Sequence, residues 1–263
     1  MAQKILSVVT DRFEMRYFRF GSGSTPLVII PGVSIRSVMD SAAAVKFAYK
    51  RFADDFDIYV FDRITYIPEG YSVYDMAEDT AAALEALGIK DACMIGVSQG
   101  GMIVQTIAAR HPELVKKAVL AATTAVNTEM SGQVFDKAVE LSSAGSAKEL
   151  NLMFAERIYS KEFFEKFRGA IEASAELITP EDLERFKRMT LRMKEFDLRD
   201  ELENISCEVL VMVGSEDRIF GVDASVDLAG RLCCGLCIFE GLGHAFYDET
   251  DEFKEKTYDF FIK

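Results

Sequence analysis

Hydrophobic and polar positions along the chain alternate between two rhythms. Short apolar runs recur at Leu27-Val28-Ile29-Ile30, Ile58-Tyr59-Val60-Phe61, Ala92 to Val97, Val115 to Ala122, Glu208 to Val213 and Leu236-Cys237-Ile238-Phe239. Continuous runs of this length predict strands covered on both faces. Between them, apolar positions fall at helical spacing. Residues 72–87 carry Val73, Met76, Ala77, Thr80, Ala81, Leu84 and Leu87 along one stripe, with Gly88 placed to close the helix. A mixed Ala, Val, Phe and Lys stretch after Pro31-Gly32 predicts a helix to about Arg51. Another continues from Ile103 to Arg110 and must stop near His111, because Pro112 disfavours αR conformation in the residue before it. A final helix is expected from about Ala245 to the end, and the aromatic-rich stretch Phe13 to Phe20, followed by the turn Gly21-Ser22-Gly23-Ser24, predicts an antiparallel strand.

Buried strands alternating with helices imply an α/β class with a mostly parallel sheet and helices on both faces. Between residues 127 and 203 the rhythm breaks into charged helical sequence rich in Phe and Met, including Phe135, Phe154, Phe186, Met189 and Phe196. The simplest organisation is a core in two parts, 1–126 and 204–263, interrupted by a helical insert at 127–203. The Phe and Met residues predict a small apolar core for the insert, and they can also face a pocket if the insert covers one.

Composition narrows the class of partner rather than the fold. The 263 residues carry 30 Lys+Arg against 43 Asp+Glu, a formal net charge of −13, with no basic patch interleaved with aromatics. Nucleic acid and anionic membranes are therefore poor partners, and a small-molecule substrate is expected. No apolar run reaches the length of a membrane span, and residues 1–10 show no signal-peptide pattern, so a cytoplasmic protein is expected. Five cysteines, Cys93, Cys207, Cys233, Cys234 and Cys237, are an odd number lying in or beside apolar segments, which does not predict a disulfide framework. The Cys233–Cys237 cluster lacks the second Cys or His group that would complete four zinc ligands, so no metal is expected.

The segment with most chemical content is Gly96-Val97-Ser98-Gln99-Gly100-Gly101, set between a predicted buried strand and a predicted helix. A Gly-x-Ser-x-Gly pattern in that context puts the serine on a sharp strained turn, exposes Oγ at the carboxyl edge of the sheet, and aims the Gln99 amide where an oxyanion would form. A serine at its ordinary pKa needs an adjacent base, itself oriented by a third group. There are two histidines. His111 lies about three turns beyond Ser98, some ~20 Å along the same helix, and reads as a helix-end histidine. His244, in Gly241-Leu242-Gly243-His244, follows the last apolar strand and is the expected base. The loop Gly214-Ser215-Glu216-Asp217-Arg218 follows a neighbouring strand and supplies two carboxylates: Asp217 is the expected acid, with Glu216 the alternative.

Taken together, the elbow at Gly96–Gly101, the Gly214–Asp217 loop and the Gly243-His244 loop resemble the α/β-hydrolase superfamily, over essentially the whole core. The order Ser, Asp, His is the one found in that superfamily. The resemblance implies a lid between the sixth and seventh strands and a second oxyanion amide from Val33 in Pro31-Gly32-Val33-Ser34, where Pro31 replaces the usual histidine. Asp62-Arg63 resembles a frequent structural feature of the superfamily. The expected activity is acyl transfer from Ser98 onto a small, apolar ester, as in carboxylesterases, with no cofactor. C–C bond hydrolases, lactonases and perhydrolase-like enzymes share the same residues. Two other classes remain: a ligand-binding protein that keeps the residues without turnover, and an interaction module using the insert as a docking surface.

Overall fold

The computed structural model describes residues 3–263. Eight strands form one sheet: β1 (Ile5–Val9), β2 (Glu14–Phe20), β3 (Thr25–Ile30), β4 (Phe56–Ile64), β5 (Ala92–Val97), β6 (Val115–Ala121), β7 (Glu208–Gly214) and β8 (Gly235–Phe239). Their order is β1-β2-β4-β3-β5-β6-β7-β8. The pairs β1–β2 and β2–β4 are antiparallel and every other pair is parallel, so the sheet is parallel from β4 to β8.

The helices are α1 (Ala42–Ala48), α2 (Val73–Ala86), α3 (Gln99–Arg110), α4 (Glu129–Ser143), α5 (Ala147–Ile158), α6 (Lys161–Ser174), α7 (Pro180–Leu191), α8 (Val222–Leu232), α9 (Phe246–Glu249) and α10 (Glu252–Ile262). The pleat explains why the strands read as unbroken apolar runs. In β3, Val28 and Ile30 pack on one face with Met76 and Leu84 of α2 and Ile103 and Ile107 of α3, while Leu27 and Ile29 pack on the other with Phe52, Phe246 and Phe253. Local signals set the ends. Ser72 accepts the Asp75 amide and Asp75 accepts the Ser72 amide, a reciprocal cap for α2, and Gly88 leaves that helix at φ +70°.

Four observations differ from the sequence expectation. Strand β1 was not expected; its half-exposed edge position leaves only a weak alternation over five residues. Asp62 and Arg63, expected to end the strand, lie within β4, which runs on to Ile64. The stretch to Arg51 holds only α1 plus single 3-10 turns at Val38–Ser41 and Lys50–Phe52. The last helix is broken, because Thr250 is extended (φ −138°, ψ 144°) and its hydroxyl accepts the Glu252 amide at 3.2 Å, starting α10 afresh.

Helices α4 to α7 lie between β6 and β7. The chain leaves and returns at one neck: Val126 bridges Asp197 antiparallel, Leu198 donates to the Ala125 carbonyl at 2.8 Å, and Asn127 to that of Phe196 at 3.1 Å. Their own apolar cluster joins Ala138, Leu141, Leu150, Leu183 and Phe186 to Ile35 of the sheet body. Polar ties add to it, among them Arg185 to buried Asp62 and Arg188 to the Ile67 carbonyl. Among the described residues, no helix is long and apolar enough to cross a membrane. All five cysteines are free thiols, and burial pushes the Cys93 and Cys207 thiols up to about 11.

Candidate active site

Strand β5 delivers Ser98 to the carboxyl edge of the sheet. The serine sits at φ 53°, ψ −118°, immediately before α3, and is only 6% exposed. A residue other than glycine is strained at positive φ, and here the surrounding packing over-determines it. The Ser98 amide donates to the Ala121 carbonyl at 2.8 Å, and the Thr123 hydroxyl donates to the Ser98 carbonyl at 2.8 Å. The glycines of the motif have steric reasons. A Cβ on Gly96 would lie 2.6 Å from the Gly100 carbonyl oxygen, and one on Gly100 only 2.0 Å from that of Ile30.

Gln99 opens α3, so its amide has no acceptor within the helix. Its side chain fixes the elbow from behind: Oε1 accepts from the Arg63 guanidinium at 2.9 Å and Nε2 donates to the Met189 carbonyl at 2.9 Å. Arg63 also donates to the Pro31 carbonyl at 2.8 Å, tying β4 to the loop that carries Val33. Burial lowers this guanidinium to about 10, with Asp62 opposing the shift. Arg63 is thus a buried brace. On the Val33 loop, a Cβ at Gly32 would stand 3.1 Å from the Ser98 Cβ, which brings that backbone against the serine.

The β8–α9 loop carries His244, 3% exposed. Its path is close to its neighbours: a Cβ on Gly214 would meet the Gly243 carbonyl at 2.2 Å, and Ala245 donates to the Ile158 carbonyl at 2.7 Å. His244 Nδ1 lies 2.8 Å from Asp217 Oδ2, while Oδ1 of the same carboxylate accepts the Ile219 and Phe220 amides at 2.8 and 3.1 Å. Burial works against ionisation of Asp217, but His244 and the two amides outweigh it and hold the carboxyl below the usual range. Glu216 is exposed, and its carboxylate makes no hydrogen bond to His244 among the described residues. His111 caps the far end of α3, with Nε2 3.0 Å from Glu78.

Ser98 and His244 open onto one cavity of about 690 Å³, without a direct hydrogen bond between their side chains among the described residues. Val33, Phe135, Phe154 and Ile219 supply much of its apolar wall, so the structure brings Ser98, Val33 and His244 to a common space with Asp217 behind the histidine. Arg36 and Ser34 also reach its lining; Arg36 pairs with Asp40 at 2.8 Å and Ser34 donates to the Arg36 carbonyl at 2.7 Å. The cavity has a polar end that the sequence did not disclose, with Tyr49, Tyr159, Tyr247 and Asp248. Their convergence depends on how α5 folds back on α9, and no local motif marks it.

A mostly parallel sheet with helices on both faces, and a serine on a sharp turn at its carboxyl edge, define the α/β-hydrolase fold. The family model described as the alpha/beta hydrolase fold matches residues 51–156. The chain is 29% identical over 207 residues to the AB hydrolase superfamily protein YisY of Bacillus subtilis, covering 70% of this chain and 71% of that protein. It is 26% identical over 149 residues to 3-oxoadipate enol-lactonase 2 of Acinetobacter baylyi, covering 57% and 55%. In three dimensions it is similar to MGS-M2, an alpha/beta hydrolase enzyme from a Medee basin deep-sea metagenome library, with a TM-score of 0.89 at 23% identity over 98% of each chain. The chain has the α/β-hydrolase fold.

Proposed function

We propose that the protein is a serine hydrolase that cleaves small carboxylic esters by acyl transfer, with Ser98 as nucleophile, His244 as base and Asp217 as the acid that orients the histidine. The observation that carries this reading is the sharing of one cavity by Ser98, on its strained turn, and by His244, whose Nδ1 is held 2.8 Å from Asp217. With Nδ1–H donated to Asp217, the lone pair of Nε2 is left to take a proton.

In this mechanism Ser98 Oγ attacks the ester carbonyl carbon as His244 Nε2 takes its proton. The tetrahedral oxyanion is met by the amides of Val33 and Gln99. Collapse expels the alcohol, which receives that proton from His244, and leaves an acyl-serine. A water molecule, deprotonated by His244, then attacks the acyl carbon and releases the acid and the free serine. Residues 127–203 act as a cap over the cavity, and the apolar wall from Phe135 and Phe154 of that segment favours an apolar substrate body. Closing the distance between Ser98 and His244 accompanies substrate binding, as is common for sites that tighten in the Michaelis complex.

A lactone is a cyclic ester, and the similarity to an enol-lactonase favours lactones as a second substrate class for the same site. Turnover measured across 4-nitrophenyl esters, lactones and vinylogous diketones tests the assignment. Ester or lactone hydrolysis abolished by Ser98→Ala supports it; cleavage of the diketones alone would move the reaction to C–C bonds, and no turnover of any would favour a binding protein.

A further inference from the structure

The polar end of the cavity takes no part in the reaction proposed for Ser98. It is assembled from three segments distant in sequence: Tyr49 after α1, Tyr159 after α5, and Tyr247 with Asp248 on α9. The two neighbouring acids of α9 have different fates. Glu249 is committed to α6, where its carboxylate accepts the Ser160 amide and hydroxyl. Asp248 has no ion-pair partner among the described residues, although its side chain is accessible from the cavity it lines. The cation nearest in influence, Lys254 on α10, lines the same cavity, but its ammonium is engaged by the protein: its Nζ donates to the Tyr247 carbonyl at 2.7 Å and lies 3.7 Å from Asp251.

The protein packed around it raises the Asp248 carboxyl to about 6, although the residue keeps an exposed face; Lys254 and the Tyr159 hydroxyl oppose the rise and Glu249 adds to it. A carboxylate that faces a cavity without a paired cation is stabilised by an opposite charge brought to it. The tyrosines around it carry π faces that also attract a cation, and their hydroxyl oxygens can accept hydrogen bonds from one. All three phenols are held above their usual range, by burial first and then by the Asp248 charge, so they stay protonated and neutral. The net charge of −13 adds a general attraction for cations.

We propose that Asp248, with the rings of Tyr49, Tyr159 and Tyr247 around it, forms a subsite for a protonated primary amine at the end of the cavity that Ser98 also lines. A primary ammonium suits it because three N–H donors can meet the carboxylate and the phenol oxygens together. The preferred substrate is then an ester or lactone that carries an amine, a statement that rests on Ser98 being the nucleophile; the amine site itself does not.

Calorimetric titration of Ser98→Ala protein with hexylammonium, hexan-1-ol and hexanoate, all of equal chain length, tests the subsite without any turnover. The amine should bind at least about tenfold more tightly than the alcohol, and hexanoate more weakly than either. Adding the near-isosteric Asp248→Asn should shrink the amine preference to less than about threefold while leaving alcohol binding unchanged. Equal binding of amine and alcohol overturns the subsite with no need for the second variant, and so does a preference that survives Asp248→Asn. In parallel, native protein is assayed on 4-nitrophenyl butanoate. Hydrolysis without amine preference sinks the subsite alone, whereas amine preference without hydrolysis sinks the serine-hydrolase reading alone.

Discussion

Replacing Asp217 with asparagine removes one charge and almost no volume, which isolates what the carboxylate does for His244. In the native chain Oδ1 accepts the Ile219 and Phe220 amides at 2.8 and 3.1 Å, and Oδ2 faces His244 Nδ1 at 2.8 Å. An asparagine that keeps its carbonyl oxygen on the two amides must turn its NH₂ toward Nδ1. Nδ1 then accepts, the ring proton moves to Nε2, and the histidine loses the lone pair with which it would take the serine proton. In serine hydrolases this tautomer reversal costs about 10,000-fold in kcat. At about 1.36 kcal/mol per tenfold, that is ~5.5 kcal/mol of transition-state stabilisation. The assay is kcat and KM for 4-nitrophenyl butanoate at neutral to alkaline pH, with thermal unfolding to confirm the fold. The expected outcome is a loss confined to kcat, with KM within about threefold of native because Asp217 does not touch the substrate cavity. A folded Asp217→Asn protein that keeps more than about a tenth of native kcat refutes the orienting role.

Other consequences concern the scaffold. Gly100→Ala forces a Cβ to 2.0 Å from the Ile30 carbonyl oxygen, a backbone atom, and should cost at least ~3 kcal/mol or prevent folding; Gly169→Ala in exposed α6 meets nothing within 4 Å and should raise stability by up to ~1 kcal/mol in urea unfolding. Phe246 is fully buried and stacks on Phe239 at a centroid distance of 4.6 Å, so Phe246→Ala should lower unfolding free energy by ~3–5 kcal/mol, read from the denaturation midpoint. Asp217 ionises more readily in the folded chain than in the unfolded one, so it contributes stability above the ordinary carboxylate range, which is lost as pH falls through its depressed folded value. Urea unfolding across acid pH should therefore show a shallower decline for Asp217→Asn than for native protein, and parallel curves would contradict the shift.

Strands buried on both faces were legible because every position in them must be apolar; the register of β3 between β4 and β5 leaves Val28, Ile29 and Ile30 no polar option. The edge strand β1 was not, since its apolar residues do not alternate: Ile5 and Val9 are exposed while Leu6 and Val8 are the ones turned inward. The glycines around Ser98 were legible for the same reason that they are needed: close backbone approach leaves a mark in residue type. The meeting of Asp217 and His244 could be expected from loop order, because loops that follow neighbouring parallel strands such as β7 and β8 emerge at the same edge. What the loop order could not separate was Asp217 from Glu216; only the turn that donates the Ile219 and Phe220 amides to Asp217 does so. The tyrosine and Asp248 end of the cavity left no trace at all. Its residues come from three segments joined only by tertiary packing, and an Asp beside a Glu near a helix start reads as an ordinary solvated pair. Arg63 illustrates an intermediate case: its place beside Asp62 suggested a structural part, but its grip on both the Pro31 loop and Gln99 required the fold.

The most direct test of the central claim is covalent labelling with a fluorophosphonate, which traps only a serine activated by a base. Peptide mapping by mass spectrometry should place one label on Ser98 of the native protein, with none on Ser98→Ala and a rate reduced by at least about 1,000-fold on His244→Ala. Labelling that persists in Ser98→Ala, or a native protein that takes up no label, would contradict the assignment of Ser98 as the nucleophile.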